Sequence, residues 1–168
     1  MRYRVIISLA AALAALDQLG KWLVNASIAP DEVIRLAPFF NLVNVRNYGA
    51  AFGLLNDPSS TWQFWLFAAA TVLAVAAALF VAREASESDR LLFCALGSIL
   101  GGAFGNFIDR IRMRAVVDYL DFHLAGWHWP AFNLADICIC AGAFAIALIV
   151  LFSPPPASQK AKKTGPAP

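Results

Sequence analysis

The sequence predicts an all-α membrane protein built on four transmembrane helices. Three observations lead there. Of 168 residues, 60% are hydrophobic and only 14% are charged, where a soluble domain carries roughly 25% charged residues. Four windows reach the roughly 20 mostly apolar residues that cross a bilayer at 1.5 Å per residue. The acids near these windows cluster at their ends instead of forming the continuous polar face of a soluble helix.

The first window, residues 5–24, is apolar up to Leu16 and then carries Asp17, Gln18 and Lys21. Arg2 and Arg4 ahead of it imitate a signal peptide, but the apolar stretch continues past Asp17 and three more spans follow. We therefore expect an uncleaved first helix. The second window, 62–82, is free of charge and opens with Trp62 and Trp65, as an interfacial aromatic belt does. The third, 91–108, holds Gly97, Gly101, Gly102 and Gly105, small residues that let helices approach closely in lipid. The fourth, 134–152, is apolar apart from Asp136 near its start.

The connections differ in kind. The segment 25–61 includes the alternating stretch Phe40–Arg46, which reads as strand. Residues 83–90 form a short charged turn, and 109–133 a loop that is polar first and aromatic later. The final segment, 153–168, with Pro154-Pro155-Pro156 and three lysines, reads as a disordered cytoplasmic tail. Residues 1–152 would then be a single membrane-embedded domain. Seven Lys/Arg side chains fall on the side of the termini and six on the other, which favours cytoplasmic termini only slightly.

Several function classes drop out. A net charge of +2 with no basic run among aromatics leaves no footprint for nucleic acid. Cys94, Cys138 and Cys140 lie in apolar runs and suit packing better than a disulfide framework. No CxxC or His/Cys cluster suggests a metal, and no cofactor is expected. His123 and His128 are a weak ligand pair in a loop.

The acids carry the chemistry. In alternating helices, the end of the first, the end of the third and the start of the fourth share one membrane face. Asp17, Asp109 (just past the third window) and Asp136 therefore converge, joined by Asp118 and Asp121 from the loop between helices three and four. Two carboxylates at close range in a low dielectric cannot both ionise, so one keeps a proton. One can then activate water while the other protonates an amide carbonyl. Asp17 has Lys21 four residues on, and Asp109 has Arg110, Arg112 and Arg114 nearby, which suits structural or substrate-positioning roles. Asp118 and Asp136 stand among apolar residues, the setting that raises a pKa, and form the best catalytic pair.

Five stretches carry a resemblance to a known family: Asp17-Gln18 with Lys21; 47–53, Asn-Tyr-Gly-Ala-Ala-Phe-Gly; 101–110, Gly-Gly-Ala-Phe-Gly-Asn-Phe-Ile-Asp-Arg; Val116-Val117-Asp118; and 132–136, Phe-Asn-Leu-Ala-Asp. In this order around four spans they resemble the bacterial lipoprotein signal peptidases (signal peptidase II). The resemblance implies four transmembrane helices with a small β-rich cradle and a short interfacial helix on the outer face. It implies an aspartic endopeptidase of the bacterial inner membrane, multi-pass, with its site near the outer face. The substrate would be a diacylglyceryl-modified prolipoprotein, cut before the lipidated cysteine among membrane lipids, and nothing requires more than a monomer. By motif, Asp118 and Asp136 match the catalytic dyad. Asn106, Asp109, Arg110 and Asn133 match residues that support the dyad and hold substrate backbone. Asn47 and Gly49 match a substrate-contacting loop, with Gly49 and Gly53 allowing close approach or motion of residues 48–55 as a lid. Asp17 and Lys21 match a first-helix polar pair. Two departures are visible: Gly20 stands where the family usually has a hydroxyl residue, and Tyr119 where phenylalanine is more usual.

Two rivals have a place. A proton-coupled transporter would want acids at mid-span, broken helices and short loops on both faces. A non-catalytic subunit using its acids as helix glue would explain Asp17 with Lys21 and leave Asp118 and Asp136 without a purpose.

Overall fold

The computed structural model describes residues 1–30, 32–50 and 54–152. Its elements are α1 (Arg2–Ser27), β1 (Val33–Ala37), β2 (Phe40–Asn47), α2 (Trp62–Glu84), α3 (Arg90–Met113), β3 (Val116–Leu124), β4 (Trp127–His128) and α4 (Leu134–Phe152). All four helices are long and apolar enough to cross a membrane. Their outward faces show Ile7, Leu73, Phe80, Phe144 and Val150, apolar side chains that only a lipid solvent leaves stable in such number.

Helix α3 is the centre of the bundle, packed against α1, α4 and, more lightly, α2. Its glycines make that possible. A Cβ on Gly101 would run into Leu13 and the Ala10 backbone of α1, and one on Gly105 would meet the Asp17 carboxylate. At the end away from the sheet, Ile6, Ala10, Ala78, Ala82, Phe93, Leu96 and Leu100 form an apolar cluster joining α1, α2 and α3.

The sheet caps the other end. It is antiparallel in the order β1-β2-β3-β4, and Val117 and Tyr119 of β3 pack on Val24 and Ile28 at the end of α1. Between Leu42↔Leu120 and Val45↔Asp118 the register slips by one residue. Such a bulge re-aims the side chains beyond it, and Asn47 of β2 reaches Asp118 across the strands. Ala125 and Gly126 both have positive φ, as the two-residue turn of a type I′ hairpin requires, and they turn β3 back into β4.

The sequence expectations differ from this structure in three places. The third helix runs five residues beyond the apolar window, so Asp109 and Arg110 stand inside α3 and not past it. Residues 116–124, read as loop, form a nine-residue strand. Among the described residues there is no fifth helix, so the short interfacial helix is not found. The segment 48–55, open to reading as either a close-approach loop or a lid, includes residues 51–53, Gly53 among them, and the expected tail spans 153–168; residues 51–53 and 153–168 lie outside the described residues.

Candidate active site

The site grows from the first turn of α4. Asn133 caps that helix with its side-chain oxygen on the Asp136 N–H (3.0 Å), while Asp136 Oδ2 accepts the Asn133 N–H in return (3.1 Å). This reciprocal capping box satisfies two otherwise orphaned donors and locks the Asp136 carboxylate in place. Its other oxygen accepts from Asn106 Nδ2 of α3 at 2.8 Å.

Asp118 faces the same space from β3. Asn133 Nδ2 donates to Oδ1 at 2.7 Å, and Asn47 Nδ2 to Oδ2 at 2.9 Å. The carboxyl is buried, and burial, with the nearby Asp136 charge adding, pushes its pKa up to about 7 against these two hydrogen bonds. Asp118 and Asp136 line one cavity of about 910 Å3, with Asn106 and Arg110, which continues past Phe67 of α2 and Ile139 of α4. One end is polar and the walls between the helices are apolar.

Beneath this pair lies an ionic network with no exposure to speak of. Lys21 Nζ bridges Asp17 (2.7 Å) and Asp109 (2.9 Å) and donates to Asn106 Oδ1 at 2.8 Å. Each of those acids also holds a backbone N–H. Asp17 Oδ1 accepts from Ala135 (2.9 Å) and Asp109 Oδ2 from Val117 (3.2 Å). Ala135 immediately precedes Asp136, and Val117 immediately precedes Asp118. One buried ammonium thus ties together the two backbone segments that carry the facing carboxylates. Gln18 adds an amide donor to Asp109 Oδ1 at 2.8 Å.

Arg110 does not pair with Asp109 beside it. Its guanidinium lies 3.8 Å from the centre of the Phe67 ring and donates to the Gly49 carbonyl at 2.9 Å, while Asp109 takes Lys21 from another helix. Gly49 in turn donates its N–H to Asn47 Oδ1. A Cβ on Gly49 would collide with the backbone of Leu54, Leu55 and Asn56, so the glycine serves a close approach within its own loop.

All ten residues singled out from the sequence therefore meet at one end of the bundle, as two carboxylates, a polar frame and a buried ion network. Sequence reasoning missed the backbone partners of Asp17 and Asp109, and Gln18 as a ligand of Asp109. It also treated Gly20 and Tyr119 as separate departures, whereas they fit each other. A Cβ at Gly20 would stand 3.1 Å from the Tyr119 hydroxyl, and that hydroxyl accepts the Leu134 N–H at 3.2 Å. Asp121, on the same strand as Asp118, lies apart and pairs with Asn41 and His128.

Four membrane-length helices, a small sheet over one end and a carboxylate-lined cavity beneath it define a polytopic membrane enzyme. The same fold occurs in a solved bacterial membrane enzyme, with a TM-score of 0.78 at 27% identity over 95% of this chain and 93% of that one. Residues 9–152 match the model of the signal peptidase II family, Peptidase A8; the chain belongs to that family and is an aspartic-type peptidase. It is 52% identical to the lipoprotein signal peptidase of Nitratidesulfovibrio vulgaris (strain DP4), covering 92% of this chain and 93% of the relative. It is 53% identical to that of Oleidesulfovibrio alaskensis (strain ATCC BAA-1058 / DSM 17464 / G20), covering 89% and 96%.

Proposed function

We propose that this enzyme removes the signal peptide from diacylglyceryl-modified prolipoproteins by hydrolysis just before the lipidated cysteine, with Asp118 and Asp136 as its catalytic dyad. The observation that carries the reading is the pair of facing carboxylates in one cavity, one of them still holding a proton near neutrality. Among the described residues, a cysteine–histidine pair lacks the geometry. Cys140 lines the cavity wall, but His123 and His128 stack on each other in the hairpin, with His128 on Asp121.

In this mechanism Asp136 accepts a proton from a water as its oxygen attacks the scissile carbonyl. Protonated Asp118 donates to the carbonyl oxygen as the tetrahedral adduct forms. Collapse of the adduct breaks the C–N bond: the proton held on Asp136 passes to the departing nitrogen, and one hydroxyl of the adduct returns its proton to Asp118 as the C=O bond re-forms. No covalent enzyme intermediate is formed. Asn133 and Asn106 hold the two carboxylates, and Lys21, Asp17 and Asp109 hold the backbone that bears them. Arg110 Nε has no hydrogen-bond partner among the described residues and is a donor for substrate backbone, with Asn47 and Gly49 beside it.

The apolar walls of the cavity suit a substrate that is itself a membrane segment, and the polar end is where its scissile bond would lie. We place both termini in the cytoplasm, the site at the outer face of the inner membrane, and the working unit as a monomer of one peptidase domain. The test is cleavage of a lipidated prolipoprotein in detergent by Asp118→Asn and Asp136→Asn. Turnover should vanish in each while membrane abundance stays normal; substantial cleavage by either variant removes the dyad.

A further inference from the structure

The chain has five tryptophans, and all of them stand at the sheet-capped end of the bundle. Trp22 is in the last turns of α1, Trp62 and Trp65 open α2, and Trp127 and Trp129 follow β3. Each is substantially exposed, from 47% for Trp129 to 69% for Trp65. The first three sit on membrane-spanning helices at the level where amphipathic rings collect in the headgroup region. The last two belong to a β-hairpin, where water would ordinarily be the solvent.

The hairpin is not built for water. From Ala115 to Asn133 the chain has no Lys, Arg or Glu. Its two acids are turned inward, Asp118 to the cavity and Asp121 to Asn41 and His128. What it shows outward is Phe122, Leu124 (75% exposed), Trp127 and Trp129. With Phe39 from the β1–β2 turn and Phe132, these line an apolar groove of about 480 Å3. A stack of Phe40, Phe122 and Phe132, with ring centroids 4.6 and 5.9 Å apart, backs the sheet at this point. Trp129 and Phe132 also line the active-site cavity, so groove and site share a wall.

We infer that the β3–β4 hairpin is a fifth membrane contact, its aromatic groove seated on the glycerol and upper acyl region of the bilayer's phospholipids. The occupant follows from continuity: the groove extends the tryptophan belt of α1 and α2 onto the sheet, and the absence of exposed charge over the hairpin suits lipid. Pairing with His128 and Asn41 holds the Asp121 carboxylate below the usual range although burial opposes this, and buries its charge away from the lipid side. Seated so, the hairpin sets the depth of β3, and with it of Asp118, relative to a membrane-anchored peptide. The inference does not depend on which carboxylates catalyse.

The test uses the wild-type full chain, without substrate, in nanodiscs of phosphatidylethanolamine and phosphatidylglycerol carrying a diazirine on one acyl chain. After illumination, lipid adducts are mapped by peptide mass spectrometry. Adducts on residues 122–129 should approach the level found on lipid-facing Phe144 and Val150 of α4. Adducts on α4 but not on the hairpin overturn the proposal. So does hairpin labelling that needs added lipidated substrate, which would make the groove a substrate subsite, or labelling lost as protein density rises, which would make it an interface between copies. In Leu124→Asp the hairpin labelling should fall several-fold with α4 unchanged; undiminished labelling would show that the groove is not seated in the bilayer.

Discussion

Asp118 and Asp121 stand three residues apart on β3, and both are almost fully buried, at 4% and 7% exposure. Their titration nevertheless runs in opposite directions. Asp118 faces the cavity, where burial and the Asp136 charge push it up to about 7. For Asp121 burial also raises the pKa, but the Asn41 amide and the His128 ring more than offset it and leave the carboxyl below its ordinary value. Burial sets the desolvation cost in both places, and the partners decide its outcome. At the cavity end of the strand the acid favours its protonated form, while the hairpin end ties its acid into structure.

The sharpest way to break this contrast is to neutralise one acid at a time. Asp118→Asn or Asp136→Asn should lower turnover by roughly a thousand-fold or more, the scale on which acid–base groups contribute, measured on a lipidated prolipoprotein. Asp121→Asn should keep activity within a few-fold of wild type. If it were as damaging as Asp118→Asn, the division of the strand would be wrong.

Next in size is the network beneath the cavity end. Lys21→Met leaves Asp17 and Asp109 buried without their cation, which costs about 3–5 kcal/mol in comparable sites. Thermal unfolding in detergent should shift strongly downward. A variant with wild-type stability would mean that the ammonium does not hold the two backbone segments together.

The pH dependence separates the two acids further. Because the folded-state pKa of Asp118 is raised from 3.8 to about 7, the folded protein binds that proton more tightly than the unfolded chain. The resulting stability, on the order of several kcal/mol, is fully present below about pH 3.8 and lost as pH rises through about 7. Asp118→Asn should flatten this part of the stability–pH curve. Turnover of the wild type should fall on the alkaline side as Asp118 gives up its proton. For Asp121 the sign is reversed: its depressed pKa contributes stability that is present above the ordinary carboxylate range and lost on acidification.

A smaller effect is expected between the two aspartates, at Tyr119. Its hydroxyl fills the space over Gly20, so Gly20→Ser alone should destabilise and Gly20→Ser with Tyr119→Phe should recover much of the loss. A double-mutant cycle should give a coupling of about 1 kcal/mol; additivity would show the two positions to be independent. Least of all, His128→Gln should cost about 1 kcal/mol through the hydrogen bond to Asp121, with turnover unaffected.

Much of this was legible in the chain itself. Apolar runs of spanning length announce helices because lipid leaves no other way to satisfy the backbone, and their alternation alone gathers Asp17, Asp109 and Asp136 at one end. The alternation of Phe40–Arg46 announced β2. Strand β3 was not legible, because its first four residues are buried on both faces and its last three lie near the exposed hairpin tip, so a period of two never emerges. The end of α3 was missed because Asp109 and Arg110 break the apolar pattern while their partners, Lys21 and Gly49, keep them helical.

By itself, then, the sequence determined the solvent, the number of spans, the face on which the acids meet and the family. It also separated Asp17 and Asp109 from Asp118 and Asp136, but only the tertiary structure decided which partners hold each acid. Asp109 could have paired with any of three neighbouring arginines, and packing of α1 on the glycines of α3 delivered Lys21 instead. Asp118 and Asp121 are alike in sequence, and the bulge in β2 and the turn at Ala125-Gly126 assign one to Asn47 and Asn133 and the other to Asn41 and His128. Local composition can place a carboxyl in a low dielectric, but its charge state depends on donors and charges within a few ångströms, and those come from distant parts of the chain.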